Sequence, residues 1–362
     1  MLVGTNCLLS CGSNEYNPNC IIMKALFLVK TGQPESAFEM RETRTPTPGP
    51  EQVLIKVAGF GINFADVMAR LGLYRDAPDL PAILGYDVVG RITAVGAGVD
   101  DSLIGTRVVA FTLFGGYAEY VVTDMRAMVQ ISVQMEPGVA VALATQYCTA
   151  YYLAEEMAPV QAGDQVLIHA AAGGVGTALV QLALHKGAVI FGTAGSDEKL
   201  EYLRETGVHH PINYRKNDFF TEVQKVIGSK GLDVIFDPVG GKSVKKGYRL
   251  LGPGGRLVAF GASSMTQTTN IFGMIKLIFG FGFYHPVGLL TKSRGIIGVN
   301  LRQVAGQKLE KIQRVFKQVV SMNQQGILTP KVGGTFPVAE LAEAHRYLES
   351  RQSMGKIVVM WE

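Results

Sequence analysis

Glycines at 173, 174 and 176 lie in the run His169-Ala-Ala-Ala-Gly-Gly-Val-Gly-Thr177, where an apolar segment, Gln165–Ile168, gives way to a helical pattern. A turn without side chains lets backbone N–H groups approach a pyrophosphate. The helix that starts near Val175 turns its positive dipole end to the same point. Ala172, Gly173, Gly174, Val175 and Gly176 are therefore candidate dinucleotide-binding residues. The first glycine of the usual G-x-G-x-x-G is Ala171 here, so the weight of the motif rests on the strand before it and the helix after it.

The second strand of such a unit ends about 18 residues beyond the last glycine, where a carboxylate would bind the adenosine ribose hydroxyls of NAD. That place is occupied by Ala194, Gly195 and Ser196. Nothing there repels a 2′-phosphate, so NADPH is the expected cofactor. Asp197 is the counter-indication, and it is expected to face outward as a helix N-cap.

The elements that position these residues follow from patterning. From Val53 to about Thr123, short apolar runs such as Val53–Val57 and Arg107–Phe111 are punctuated by Gly, Pro and Asp, which predicts a β-rich region. After Ala140 strands alternate with helices. Strands are predicted at 165–169, 188–192, 232–237, 256–260 and 295–299 and helices at 177–186, 198–206 and 243–251, with Gly252-Pro-Gly-Gly255 as the stop of the last helix. This alternation implies parallel β-α-β units. Leu309, Ile312, Phe316 and Val319 mark one face of a further helix. The C-terminus offers a helix over 338–351 and a strand over 356–360, which most simply folds back onto the N-terminal β region.

Composition bounds the function. The 362 residues exceed one typical domain, and 43 glycines with 18% charged residues describe a compact, turn-rich protein. A net charge of +4 with scattered basic residues argues against nucleic acid as a partner. Three cysteines, Cys7, Cys11 and Cys20, precede the expected first strand at 23–29, and Cys148 stands alone, so a disulfide-built core is excluded. Residues 1–22 lack the pattern of a secretory signal and read as a disordered extension; a cytoplasmic location is expected. The segment 271–286 is unusually apolar yet broken by Lys276, three glycines, His285 and Pro286. It reads as a lid or subunit contact, with a membrane-touching surface as the alternative.

With these motifs laid out, the chain resembles the zinc-free quinone oxidoreductases of the medium-chain dehydrogenase/reductase superfamily over residues 23–362. The resemblance rests on Gly61-Ile-Asn-Phe-Ala-Asp66 with Arg70-Leu-Gly-Leu-Tyr74, on Leu84-Gly-Tyr-Asp-Val-Val-Gly90, on Gly115-Gly-Tyr-Ala-Glu119 and on the alanine-rich glycine turn. Gly207–Tyr214, Phe236–Gly241, Gly247–Leu251 and the apolar segment look most like the branch of the synaptic vesicle membrane protein homologues. The resemblance implies an α/β protein: a Rossmann doubly wound parallel sheet, residues 146–302, inserted into a β-rich GroES-like catalytic domain, residues 23–145 and 303–362. It also implies a homodimer paired through the last Rossmann strand near Ile296–Val299. Lys199, Tyr214 and Arg351 would line the 2′-phosphate pocket, and Thr149 the cofactor side of the cleft. By position alone, Phe260, Gly261, Ser263 and Asn300 would meet the nicotinamide.

Alcohol dehydrogenases of the superfamily hold catalytic zinc with two cysteines and a histidine. The matching positions here are Asn63, Tyr86 and about Thr145, with Cys148 near but not on the third, and His209 and His210 read as surface or packing residues. A metal-free enzyme is therefore expected. Without a Lewis acid an isolated carbonyl is poorly polarised. Hydride addition to a quinone or an α,β-unsaturated ketone gives a delocalised anion that needs only hydrogen-bond donors and a proton. Asn63, Tyr74 and Tyr86 are the candidate donors, and Asp66 is the candidate that positions them. Turn stabilisation by Asn63 and Asp66, and plain packing by the tyrosines, remain the structural alternatives. The competing functional reading is an NADPH-binding protein that acts through a protein, membrane or RNA interface with little turnover.

Overall fold

The computed structural model describes residues 21–267 and 271–361. The expected extension over 1–22 therefore falls, but for its last two residues, outside the described residues.

Six parallel strands form one sheet. In chain order they are Gln165–Ile168, Val189–Ala194, His210–Asn213, Leu232–Asp237, Leu251–Ala259 and Gly295–Gly298; in space they run third, second, first, fourth, fifth, sixth. Val166, Leu167 and Ile168 are fully buried on both faces of the sheet, which is why the central strand reads as an unbroken apolar run. The order reverses between the first and fourth strands, and in open sheets of this kind a ligand crevice lies there, beyond the carboxyl ends. The glycine turn occupies that place, followed by the helix Gly174–His185.

The remaining strands are mainly antiparallel. Gln52–Ile62 pairs along one edge with Asp87–Val95 and along the other with Tyr120–Asp124, over Gln52–Lys56, and then with the C-terminal strand Lys356–Met360, Ile357 lying opposite Ile62. Val332–Pro337 runs parallel to Lys356–Met360 at the sheet's end. A smaller sheet joins Ile22–Leu28 to Phe38–Arg44 and Ala82–Ile83. The protein is thus an α/β chain with a Rossmann-type parallel sheet and a GroES-like antiparallel region. A helical run over 137–157, with π-type turns at Leu143–Tyr147 and Tyr152–Met157, spans the division expected at 145/146.

Two local expectations are corrected, and the apolar segment gains its structure. The helix Lys242–Leu250 ends directly at a strand, and Gly252-Pro-Gly-Gly255 is a bulge inside that strand: pairing jumps from Leu232–Leu251 to Val234–Arg256, and Gly252 packs against Gly231 too closely for any side chain between them. The N-cap of the helix Asp197–Glu205 is Ser196, whose hydroxyl accepts from the Lys199 N–H; Asp197 sits in the first turn, paired with Lys216 and Asn213. The apolar segment is two short helices, Ile271–Phe281 and Pro286–Lys292.

Candidate functional site

A cleft of about 1690 Å³ lies between the parallel sheet and the antiparallel region. Its floor is the glycine turn. A Cβ at Gly176 would lie 2.2 Å from the Ala170 carbonyl oxygen, and one at Gly174 would lie 2.0 Å from Gln146. The turn is entered through Ala170 at φ 52°, a left-handed conformation that costs a non-glycine residue and that locally built sites tend to retain. Ala172, Gly173, Gly174, Val175 and Gly176 all line the cleft, and Gly173 forms an isolated backbone bridge to Gly355. This cradle fits a dinucleotide pyrophosphate.

One end of the cleft is basic. Gly195, Ser196, Lys199, Tyr214, Arg215 and Arg351 line it. Gly195 has no side chain because the Tyr214 ring lies over it, 2.6 Å from where a Cβ would stand. The Lys199 ammonium donates to the carbonyls of Arg351, at 2.8 Å, and Ser353, at 2.7 Å, and burial holds its pKa below the ordinary lysine value. The Arg351 guanidinium donates to the Ser263 carbonyl. Arg215 is an addition to the residues expected from sequence.

The middle of the cleft is lined by Thr149, Phe260, Gly261, Ser263 and Asn300. The Thr149 hydroxyl is turned back to the Thr145 carbonyl at 2.6 Å. The Asn300 side chain donates to Asp76 and accepts from the Gln303 N–H, so its amide is turned toward these partners. Gln146 and His169, unassigned by sequence, also line the cleft; Gln146 Oε1 and His169 Nε2 are buried without a hydrogen-bond partner among the described residues.

The far end is where the four candidate catalytic residues gather. Tyr74 and Tyr86 line it edge to face, ring centroids 6.4 Å apart, with Phe114 against Tyr86 at 5.2 Å. The Tyr86 hydroxyl is buried; among the described residues it makes no hydrogen bond of full geometry, and the Tyr74 hydroxyl is the side-chain group that acts on it. Burial, reinforced by the neighbouring Asp66, pushes its pKa far above the ordinary phenol value, so it stays a protonated donor. Asp66 is fully buried and does not reach the cleft: it accepts the N–H groups of Asn63 at 2.8 Å and Gly85 at 3.2 Å, which clamps the loop bearing Tyr86 to the helix Phe64–Arg70. Burial raises the Asp66 carboxyl to about 7.

Asn63 borders the cleft, but its amide is committed behind it. It donates to Asp87 at 3.0 Å and accepts from the Lys356 ammonium at 2.9 Å, while Lys356 and Asp87 form a fully buried ion pair. Gly61 makes room: a Cβ there would lie 2.0 Å from Asp87 Oδ1 and 2.1 Å from Lys356 Cε. Asn63 is thus fixed as a wall with few donors to spare. Sequence reading missed this triad because Lys356 lies 293 positions from Asn63.

These residues do not fit zinc. Asn63, Tyr86 and Thr145 are hard or weak ligands at best, and Cys148 is fully buried with its thiol pushed up by desolvation. No group of three or more His, Cys, Asp or Glu among the described residues could hold a metal ion.

Residues 49–133 match the alcohol dehydrogenase GroES-like domain and residues 174–309 the zinc-binding dehydrogenase family model. The synaptic vesicle membrane protein VAT-1 homolog of Rattus norvegicus is 34% identical over 91% of this chain and 81% of that relative. Human quinone oxidoreductase is 31% identical over 94% of this chain and 98% of that relative. The solved structure of Escherichia coli quinone oxidoreductase complexed with NADPH superposes with a TM-score of 0.81 at 27% identity, covering 93% of this chain and 99% of that one. The chain belongs to the medium-chain dehydrogenase/reductase superfamily, among the quinone oxidoreductases and VAT-1 homologues.

Proposed function

We propose that this chain is an NADPH-dependent, zinc-independent oxidoreductase that reduces a conjugated acceptor, a quinone or an α,β-unsaturated carbonyl. The observation that carries the reading is Tyr86: a buried, protonated residue lining the same cleft as the glycine turn, its hydroxyl held by no hydrogen bond of full geometry. NADPH, when bound, supplies the hydride. The basic end with Lys199, Arg215 and Arg351 suits a 2′-phosphate, and the glycine turn suits the pyrophosphate. At the other end, the Tyr86 hydroxyl donates a hydrogen bond to the acceptor oxygen as negative charge develops there, and water supplies the proton that completes reduction. The tyrosines and Leu73 line this end, with Phe114 packed on Tyr86, and this apolar wall strengthens the donor by excluding water.

The test is loss of NADPH absorbance with a panel of ortho-quinones, para-quinones and enones. Turnover with NADPH preferred over NADH, in protein free of stoichiometric zinc, is the expected result. Tight NADPH binding with no turnover on any acceptor would sink the reading.

A second role is favoured by the apolar helix pair. Ile278, Phe279, Phe283, Val287 and Leu290 are exposed, and they adjoin Gly295–Gly298, the edge strand of the parallel sheet. We infer an interface there, a homodimer through that edge in the first instance, to be measured by light scattering. No helix among the described residues is long and apolar enough to cross a membrane. Peripheral membrane contact is the competing use of the face, and liposome co-sedimentation separates the two.

A further inference from the structure

The acceptor end of the cleft carries a guanidinium that the reading above leaves idle. Arg302 lines the cavity with its side chain three-quarters buried, 25% exposed, and stacks on the Phe114 ring with Cζ 4.9 Å from the centroid. Phe114 also packs on Tyr86, so the guanidinium and the phenol lie against one ring. Its nearest counter-ion is Asp76 at 3.5 Å, an ion pair without a hydrogen bond. Asp76 is already held by Gln303 at 2.9 Å and Asn300 at 3.2 Å. No described residue accepts a hydrogen bond from Arg302, and its Nε is buried without a partner. Arg75 also lines this end, so two guanidinia face one carboxylate and the mouth is net positive. A planar cation held flat, desolvated and with unspent donors is built to take a carboxylate in paired N–H bonds.

Resting on the oxidoreductase reading, we propose that Arg302 makes α,β-unsaturated carboxylates, acceptors that bear an anionic group on the conjugated system, the preferred substrate class. Such acids are harder to reduce than ketones because the acceptor is already an anion. Hydride addition at the β-carbon moves the alkene electron pair into the carboxylate and leaves a dianionic enediolate. Arg302 neutralises the added charge in a water-poor site, and the Tyr86 hydroxyl bonds the same group. A proton then adds at the α-carbon, giving the saturated acid and NADP+, so two electrons and one proton are accounted for.

The experiment compares crotonate, methyl crotonate and a neutral enone, with NADPH, in the wild-type chain and in Arg302→Leu and Arg302→Lys. NADPH binding by fluorescence in each variant reports folding. The expected result is a kcat/KM for crotonate above that of the ester by about tenfold or more, a ratio that collapses to near one or below in Arg302→Leu, mainly through KM, and is partly kept in Arg302→Lys. Turnover of the ester and the enone with no preference for the acid, or an Arg302→Leu effect equal on acid and ester, overturns the proposal and leaves the oxidoreductase reading standing. No turnover on any acceptor overturns both.

Discussion

Lys356 and Asp87 meet at 2.8 Å with both side chains at zero exposure, joining the C-terminal strand to the strand that begins beside Tyr86. Neither charge has water to fall back on. Replacing Lys356 by Met strands a buried carboxylate and is expected to cost about 3–5 kcal/mol in urea unfolding, since breaking a buried pair costs more than deleting it. The double variant Lys356→Met with Asp87→Leu should recover part of that loss. Additive losses would show that the pair is not coupled.

Tyr86→Phe removes a hydroxyl that makes no hydrogen bond of full geometry in the fold, so its effect should fall mainly on turnover. A fall in kcat on the order of 100-fold on enones is expected, as for removal of one donor to a developing oxyanion, with thermal stability unchanged. Stability that drops with activity would mean that the hydroxyl serves the fold instead.

Asp66 gives the activity a pH dependence. Its carboxyl titrates near 7 in the folded chain against an ordinary 3.8, so the folded state holds a proton that the unfolded state releases. Its contribution to stability therefore declines as pH rises from about 4 to 7 and is level above. As Asp66 ionises beside Tyr86, charge on the acceptor oxygen becomes harder to form. Turnover should decline through about pH 7, and Asp66→Asn should flatten that limb. A profile identical in the variant would remove Asp66 from this role.

His345 acts in the opposite direction. Burial, with Arg70 nearby, pushes its pKa down to about 3 from 6.5, and the ring stays neutral against the Tyr117 hydroxyl at 3.2 Å. The unfolded chain takes up a proton that the folded chain refuses. Stability is therefore full above about pH 6.5 and falls as pH drops toward 3, by up to about 1.4 kcal/mol per pH unit. Denaturant midpoints at pH 7 and 5 should converge in His345→Gln and diverge in the wild type.

Gly176→Ala puts a methyl group onto the Ala170 carbonyl and the Ala171 Cα, backbone atoms that cannot swing aside. A loss of roughly 1–3 kcal/mol and much weaker NADPH binding are expected by calorimetry. Unchanged binding would show that the turn is not the pyrophosphate seat.

What could be read from sequence was local. The glycine turn, the strand and helix alternation and the loss of zinc ligands at Asn63 and Tyr86 are patterns within short windows. The partners of those residues are not. Asp66 reads as a residue that positions its neighbours, but that it does so by accepting the N–H groups of Asn63 and Gly85 is visible only in the fold; Asn63 reads as a donor and is held by Lys356 from the far end of the chain. Arg302 drew no notice in a polar helix start, because its value lies in the Phe114 ring and the empty coordination around it. The Gly-Pro-Gly-Gly run misled for a related reason: its glycines serve close backbone approach at a bulge, which resembles a helix stop in sequence.

The ammonium of Lys199 reaches across to the carbonyls of Arg351 and Ser353, and Gly173 bridges to Gly355, so the nucleotide seat borrows its outer wall from the C-terminal segment. Ligand occupancy and docking of the chain's end are then one linked equilibrium. Saturating NADPH would slow amide exchange in residues 350–356, far along the chain from the glycines it grips.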